Sequence, residues 1–363
     1  MTREKTYNFS SGPSVLPEEV LEIAAGEMLN FRSSGMSVME MSHRSSVYMD
    51  IFAETKANLK RILNVPDTHE ILFLQGGAST QFSMVPLNLM GENGIADYAV
   101  TGNFASSAAK EAAKYGKVNI AADTSADGHI RIPVQTELKL SADAKYFYYC
   151  ANNTIYGTEW HYVPDTGNVP LVSDMSSNIL SEEIDVSKFG IIFAGAQKNM
   201  APAGVTLVVI DKSLAGNELP ITPLMLSYKR MIDKDSMYNT PPCYSIYMLG
   251  LVLKWLDKQG GIKAMSQLKK EKSGLLYDFL DESRLFKGCA QADARSYMNV
   301  TFTTGDKDMD ALFAKEASAA GLMNVKGHRL VGGMRASIYN AQSLEAVRAL
   351  RDFMKEFEVK YHG

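Results

Sequence analysis

Lys198 is the residue whose setting most plainly calls for chemistry. It lies in FAGAQKNMAPAG (193–204), between the apolar runs IIFA and VTLVVI. One run earlier, Asp174 closes PLVSD (170–174). A carboxylate ending an apolar strand is costly unless it meets a partner, and a desolvated lysine amine is a nucleophile. QGGAST (75–80) follows the run ILFL. Its glycines permit close backbone approach, and a helix starting at Ala78 and Ser79 would offer free N–H groups to an anion. Phe104 stands in TGNF after DYAV, and Thr154 in ANNTIYGTE after YFYYC. Taken singly, each has a plain reading: a turn, a core ring, a helix cap, a lysine snorkelling to solvent.

The elements that must carry these residues are legible. Seven short apolar runs read as strands: 71–74, 97–100, 118–121, 146–150, 170–174, 191–194 and 205–210. Helical stretches separate several of them, as in 80–90 and 104–115, which indicates an α/β core around a largely parallel sheet. The last two runs are joined without a helix, so the sheet is expected to be mixed there. Ahead of the sheet, 16–31 and 48–63 read as helices, and 229–242 reads as a polar loop ending in Pro-Pro. After it come a helix over 245–259, a further helix, a strand in MNVTFT, a helix over 308–321, strands around 331–338 and a helix from Ser343, a compact α+β unit. The expected division is a large α/β domain over 16–258 and a small α+β domain from 1–15 and 259–363.

In such sheets ligands bind beyond the carboxyl ends of the strands. That rule puts an anion cradle, an aromatic face, a carboxylate and a lysine on one rim. Pyridoxal phosphate uses the whole set, with its phosphate, flat ring, protonatable pyridine nitrogen and amine-capturing aldehyde. Two His-Arg pairs, His43-Arg44 and His328-Arg329, and Arg335 in GHRLVGGMR supply forks suited to carboxylate and phosphate. Beside an amino-acid-handling site they point to a substrate with two anionic ends.

Composition sets bounds. The chain has 363 residues, 46% apolar and 21% charged, with net charge −4. A bulk nucleic-acid or membrane-surface binder would be basic. No apolar run reaches transmembrane length and none at the N-terminus has signal-peptide form. Cys150, Cys243 and Cys289 fit neither a disulfide framework nor a metal pattern, and the six histidines form no HxxxH pair. The expectation is a cytoplasmic protein without a metal.

Nearly end to end, the chain resembles the phosphoserine aminotransferase family of fold-type-I pyridoxal-phosphate enzymes. The resemblance rests on NFSSGPSVLP, MSHRSS, LQGGAST, ANNTIYGTEW, VSDMSSNI, FAGAQKNMAPAGVTLVVI, YNTPPCYSIY and KGHRLVGGMRASIYNA. It implies a homodimer with active sites at the interface. The implied reaction is amino transfer from L-glutamate to 3-phosphohydroxypyruvate in serine biosynthesis, with a bacterial role on 4-phosphohydroxythreonine in pyridoxine synthesis. It implies Lys198 as the lysine bonded to the cofactor, Ala78, Ser79 and Gln197 as phosphate-binding positions, and Thr154 and Asp174 as cofactor contacts. Asn239 and Thr240 would reach the phosphate from the partner subunit. His43, Arg44, His328, Arg329 and Arg335 would hold substrate anions, with Arg335 on the α-carboxylate. Two positions depart from the family pattern. Phe104 stands where Trp is usual, and Ser79 stands where some members have Arg. The rivals are a cysteine desulfurase, which needs a reactive thiol, and a phosphate-binding module without catalysis.

Overall fold

The structure, a computed structural model, describes residues 6–362; residues 1–5 and 363 of the expected small domain lie outside them. All seven expected strands form one sheet: β1 (His69–Leu74), β2 (Ile95–Val100), β3 (Lys117–Asp123), β4 (Phe147–Cys150), β5 (Leu171–Asp174), β6 (Ile191–Gly195) and β7 (Thr206–Asp211). Their spatial order is β1-β7-β6-β5-β4-β2-β3. Only β7 runs antiparallel, to β1 on one side and β6 on the other, because the chain turns back after β6 without a crossover helix.

The strands read as apolar runs because both faces are covered. Ile71 and Phe73 of β1 join one apolar cluster, whereas Leu72 and Leu74 join another. Ile192 and Ala194 of β6 alternate with Ile191 and Phe193 in the same way. Helices Ser46–Ile62 and Cys243–Lys258, which pack on each other, supply the first cluster; helices Gly77–Leu89 and Asn103–Ala112 supply the second. A third cluster joins Phe9 to Phe286, Phe302, Phe313 and Phe357. It lies around a three-stranded antiparallel sheet, Lys287–Gly288, Asn299–Thr303 and Met334–Ser337, and helices Gly261–Glu282, Lys307–Ala319 and Leu344–His362. Near the chain start, Tyr7–Asn8 pairs in parallel with Leu322–Met323.

Two expectations change. The helix expected over 16–31 spans Glu18–Gly26 only; Phe31 is buried in a separate 3-10 turn where Arg32 takes a positive φ of 44°. The apolar spacing that extended it came from core burial rather than helix continuity. The expected polar loop 229–242 begins with a helix, Tyr228–Asp233, capped by the Ser227 hydroxyl.

Candidate active site

β1, β2, β4, β5 and β6 all point their carboxyl ends the same way, and the expected residues follow them directly. Lys198 follows β6 in a tight loop, in which the Ala196 carbonyl accepts from both Met200 and Ala201. Its Nζ donates to Thr154 Oγ1 at 2.7 Å and lies 5.2 Å from the centre of the Phe104 ring. Burial of the ammonium lowers the Lys198 pKa; Asp174 opposes that shift, and Arg335 adds to it by like-charge repulsion. The net lowering makes the neutral, nucleophilic amine more accessible than in a solvated lysine.

Asp174 ends β5 and is buried. Its Oδ1 accepts from the Ser176 N–H (2.9 Å) and the Ser176 hydroxyl (2.6 Å). Among the described residues no hydrogen bond is made to Oδ2. Burial raises the Asp174 pKa, and Lys198 and Ser176 pull it back. One carboxylate oxygen is therefore fixed, and the other is left for a cationic N–H, as a pyridinium would provide.

QGGAST forms the start of helix Gly77–Leu89. Gly76 precedes it with φ 90°, and a Cβ there would lie 2.0 Å from Thr80 Oγ1, so the turn requires glycine. Thr80 N–H reaches back to Gly76; the N–H groups of Gly77, Ala78 and Ser79 have no acceptor among the described residues. Such a helix start is an anion cradle. Gln197 extends beside Gly195, where a Cβ would meet Gln197 Oε1 at 2.7 Å. Thr240 is tied to this region through its carbonyl, which accepts from Gln75 Nε2 at 3.0 Å, and Asn239 lines a cavity with Gln75, Gly76 and Thr80.

Arg335 lies in the strand Met334–Ser337 and is buried, yet no carboxylate among the described residues pairs with it. Its Nη1 donates to the Thr154 carbonyl (3.1 Å) and its Nη2 to Ser11 Oγ (2.7 Å). Burial lowers its pKa, though arginine stays charged at any ordinary pH. His328 is pushed down by burial and by the nearby charges of Arg335 and Arg329, so its neutral imidazole is favoured beside the two arginines. Arg329 is exposed, without an ion-pair partner among the described residues. His43 and Arg44 precede helix Ser46–Ile62; no hydrogen bond, ion pair or ring contact joins them to the Lys198 group within the chain.

Three residues that sequence reading left out hold this site together. Ser176 fixes Asp174, Ser11 holds Arg335, and Ser14 caps the Lys198 loop by bonding the Gln197 and Lys198 carbonyls. A serine gives no sequence signal for a partner 324 positions away. Burial raises the pKa of all three thiols, Cys150, Cys243 and Cys289, so none has the activated thiolate of a desulfurase.

The free Asp174 oxygen, the unpaired N–H cradle, the ring of Phe104 and the partly desolvated lysine together fit pyridoxal phosphate. A fold of this type with this rim defines a pyridoxal-phosphate transaminase. The family model described as aminotransferase class-V matches residues 6–350, and the chain belongs to that family. A phosphoserine aminotransferase of Nitrosomonas europaea is 51% identical over 362 residues, covering 98% of each chain. The solved phosphoserine aminotransferase of Bacillus circulans subsp. alkalophilus is 43% identical with a TM-score of 0.97, covering 99% of each chain. A pyridoxal-phosphate-bound phosphoserine aminotransferase from Trichomonas vaginalis is 41% identical with a TM-score of 0.93, covering 97% of this chain and all of that one (100%).

Proposed function

We propose that the chain catalyses reversible amino transfer between L-glutamate and 3-phosphohydroxypyruvate, giving O-phospho-L-serine and 2-oxoglutarate. The observation that carries the reading is Lys198, a single amine held by Thr154, facing Phe104 and electrostatically coupled to Asp174 on the rim of the sheet. The relatives' full-length likeness supports the substrate pair.

When bound, pyridoxal phosphate supplies an aldehyde that condenses with amines and a ring that accepts the electron pair released at the α-carbon. Lys198 Nζ would be the group that takes the substrate's α-proton and passes it to the cofactor side rather than back to the α-carbon, as amino transfer requires. Asp174 Oδ2, which accepts no hydrogen bond among the described residues, would keep a proton on the ring nitrogen. Thr154 Oγ1 holds Nζ in place; Phe104 would offer its face to the ring, and the N–H groups of Ala78 and Ser79, with Gln197, would hold the phosphate. Arg335 orients the α-carboxylate common to donor and acceptor. His328 and Arg329, joined by His43 and Arg44, take the distal carboxylate or phosphate. With Ser79 in place of Arg, the loop adds no further cation.

A homodimer is part of the same proposal. Among the described residues no hydrogen bond, ion pair or ring contact joins His43 or Arg44 to the Lys198 group of their own chain. Leu29 (85% exposed) and Met39 (59%), in the segment that leads to His43, are exposed apolar side chains that a second copy would cover. Asn239 and Thr240 would then reach the partner's cofactor phosphate. We further propose the division into a cofactor domain, 16–258, and a smaller domain from 1–15 and 259–363, supported by the separate cluster that includes Phe9. No helix among the described residues is long and apolar enough to cross a membrane; cytoplasmic location in serine biosynthesis, with action on 4-phosphohydroxythreonine, completes the proposal. Protein supplied with pyridoxal phosphate should gain a visible absorbance band that borohydride removes, leaving the modification on Lys198. A protein that takes up no cofactor, or is modified elsewhere, overturns the reading.

A further inference from the structure

Two loops bring the groups that meet Lys198 Nζ. Phe104 is the second residue of helix Asn103–Ala112, which follows β2, and Thr154 stands in a turn that follows β4. β2 and β4 are parallel neighbours, so the two loops leave the sheet side by side. Asn153 joins them. It is buried, and its Nδ2 donates to Thr101 Oγ1 at 3.2 Å and to Thr158 Oγ1 at 3.0 Å. Thr158 lies opposite Asn153 in the short antiparallel pair Asn152–Asn153 and Thr158–Glu159. The Asn153 carbonyl accepts from the N–H groups of Tyr156 (3.2 Å) and Gly157 (2.8 Å), which closes the turn that carries Thr154. Its amide also packs on Gly102, the residue just before the helix of Phe104. A Cβ at Gly102 would lie 2.7 Å from Asn153 Oδ1. Gly102 is extended, with φ 174°, so glycine serves there for space.

Resting on the transaminase reading above, we propose that Asn153 is a positioning residue of the cofactor site: its amide couples the turn of Thr154 to the helix start of Phe104. Asn153 makes no hydrogen bond to Lys198 or Asp174 among the described residues, so it acts through its two neighbours. Thr154 Oγ1 is 2.7 Å from Lys198 Nζ, and the Phe104 ring centre is 5.2 Å from it. A buried amide with both donor bonds made is rigid, and removing it strands the hydroxyls that accept from it. Trp160 Nε1 makes a second, longer bond to Thr101 Oγ1, at 3.4 Å. It does not reach Gly102 or close the Thr154 turn. Without Asn153 the Phe104 ring and the Thr154 hydroxyl keep their places in sequence but lose their fixed spacing.

The test compares Asn153→Ala, Thr101→Val and the double variant with the parent, each titrated with pyridoxal phosphate. Two quantities are read: the dissociation constant of the cofactor, and the circular dichroism of the visible band per bound cofactor. The cofactor is achiral, so that ellipticity reports how firmly the site orients the ring. Asn153→Ala should raise the dissociation constant by about tenfold, the size of one buried hydrogen bond left unmade, and should lose ellipticity. Thr101→Val, which removes the acceptor and keeps the shape, should change both quantities in the same direction. The double variant should be no worse than Asn153→Ala alone, since the two substitutions break one shared bond. A parent that takes up no cofactor defeats the transaminase reading itself. With a parent that loads, parental values in Asn153→Ala, a weaker affinity with unchanged ellipticity, or effects that add in the double variant each overturn the positioning role alone. If Asn153→Ala does not fold, Thr101→Val decides: parental affinity and ellipticity in that variant overturn the role.

Discussion

Replacing Arg335 by lysine keeps the charge and removes the fork. In the structure two of the guanidinium's N–H groups are spent, one on the Thr154 carbonyl at 3.1 Å and one on Ser11 Oγ at 2.7 Å. The remaining N–H edge is what a substrate α-carboxylate would meet in two parallel bonds. A lysine ammonium is a single point of charge on a flexible stem. It cannot hold Thr154 and Ser11 and still present two aligned donors, so at least one charge-assisted hydrogen bond to substrate is lost. Such a bond is worth about 1.5–3 kcal/mol, roughly ten- to hundredfold in binding. Because glutamate and the phosphorylated keto acid share the α-carboxylate, both KM values should rise by a similar factor. Cofactor loading should not change, since Arg335 bonds neither Lys198 nor Asp174. Steady-state kinetics with each substrate varied in turn, alongside absorbance titration with pyridoxal phosphate, measures all three quantities. KM values within about twofold of the parent, or a rise for one substrate alone, would refute the assignment of Arg335 to the shared carboxylate.

Arg329→Ala should weaken binding of the phosphorylated substrate by at least about tenfold while leaving cofactor binding intact, as expected for an exposed cation that pairs with no carboxylate among the described residues; loss of cofactor binding in that variant would contradict its role. Lys272 makes a separate prediction about stability. Its buried amine donates to the carbonyls of Tyr339 (2.6 Å) and Gln342 (3.1 Å), and burial lowers its pKa to about 7. The unfolded chain keeps that proton up to an ordinary lysine pKa, so between the two values unfolding takes up a proton and stability rises with pH, by at most about 1.4 kcal/mol per pH unit. Denaturant titrations from pH 7 to 9 should show this rise in the parent and a flatter profile in Lys272→Met; equal slopes would remove Lys272 as its source.

Much of the rim was legible because its logic is local. Strands buried on both faces read as unbroken apolar runs, and a polar or glycine-rich stretch directly after such a run falls at the sheet's carboxyl edge. Lys198, Asp174, Thr154, Phe104 and the QGGAST loop were all found in that way. Arg335 is different: its strand pairs with Asn299–Thr303, and only tertiary structure brings it to the Thr154 carbonyl. Ser11 and Ser176 stand in segments that carry the family resemblance, but their own roles were not legible, since a serine that fixes a guanidinium or a carboxylate looks like any turn serine. The helix Tyr228–Asp233 was hidden for a similar reason. Six residues are too few for a period to emerge, and its polar neighbours read as loop. The length of the first helix was overstated because Phe31, buried at 2% exposure, satisfies a helical spacing while sitting beyond the helix end.

The central claim is that this rim moves an amino group between glutamate and a phosphorylated keto acid. The most direct measurement is the half-reaction of the pyridoxal-phosphate-loaded protein, followed by the visible band on mixing with one amino acid at a time. O-Phospho-L-serine and L-glutamate should each discharge the band and release their keto acids, while alanine, aspartate and serine should leave it in place. Discharge by alanine at the rate seen with phosphoserine would contradict the account.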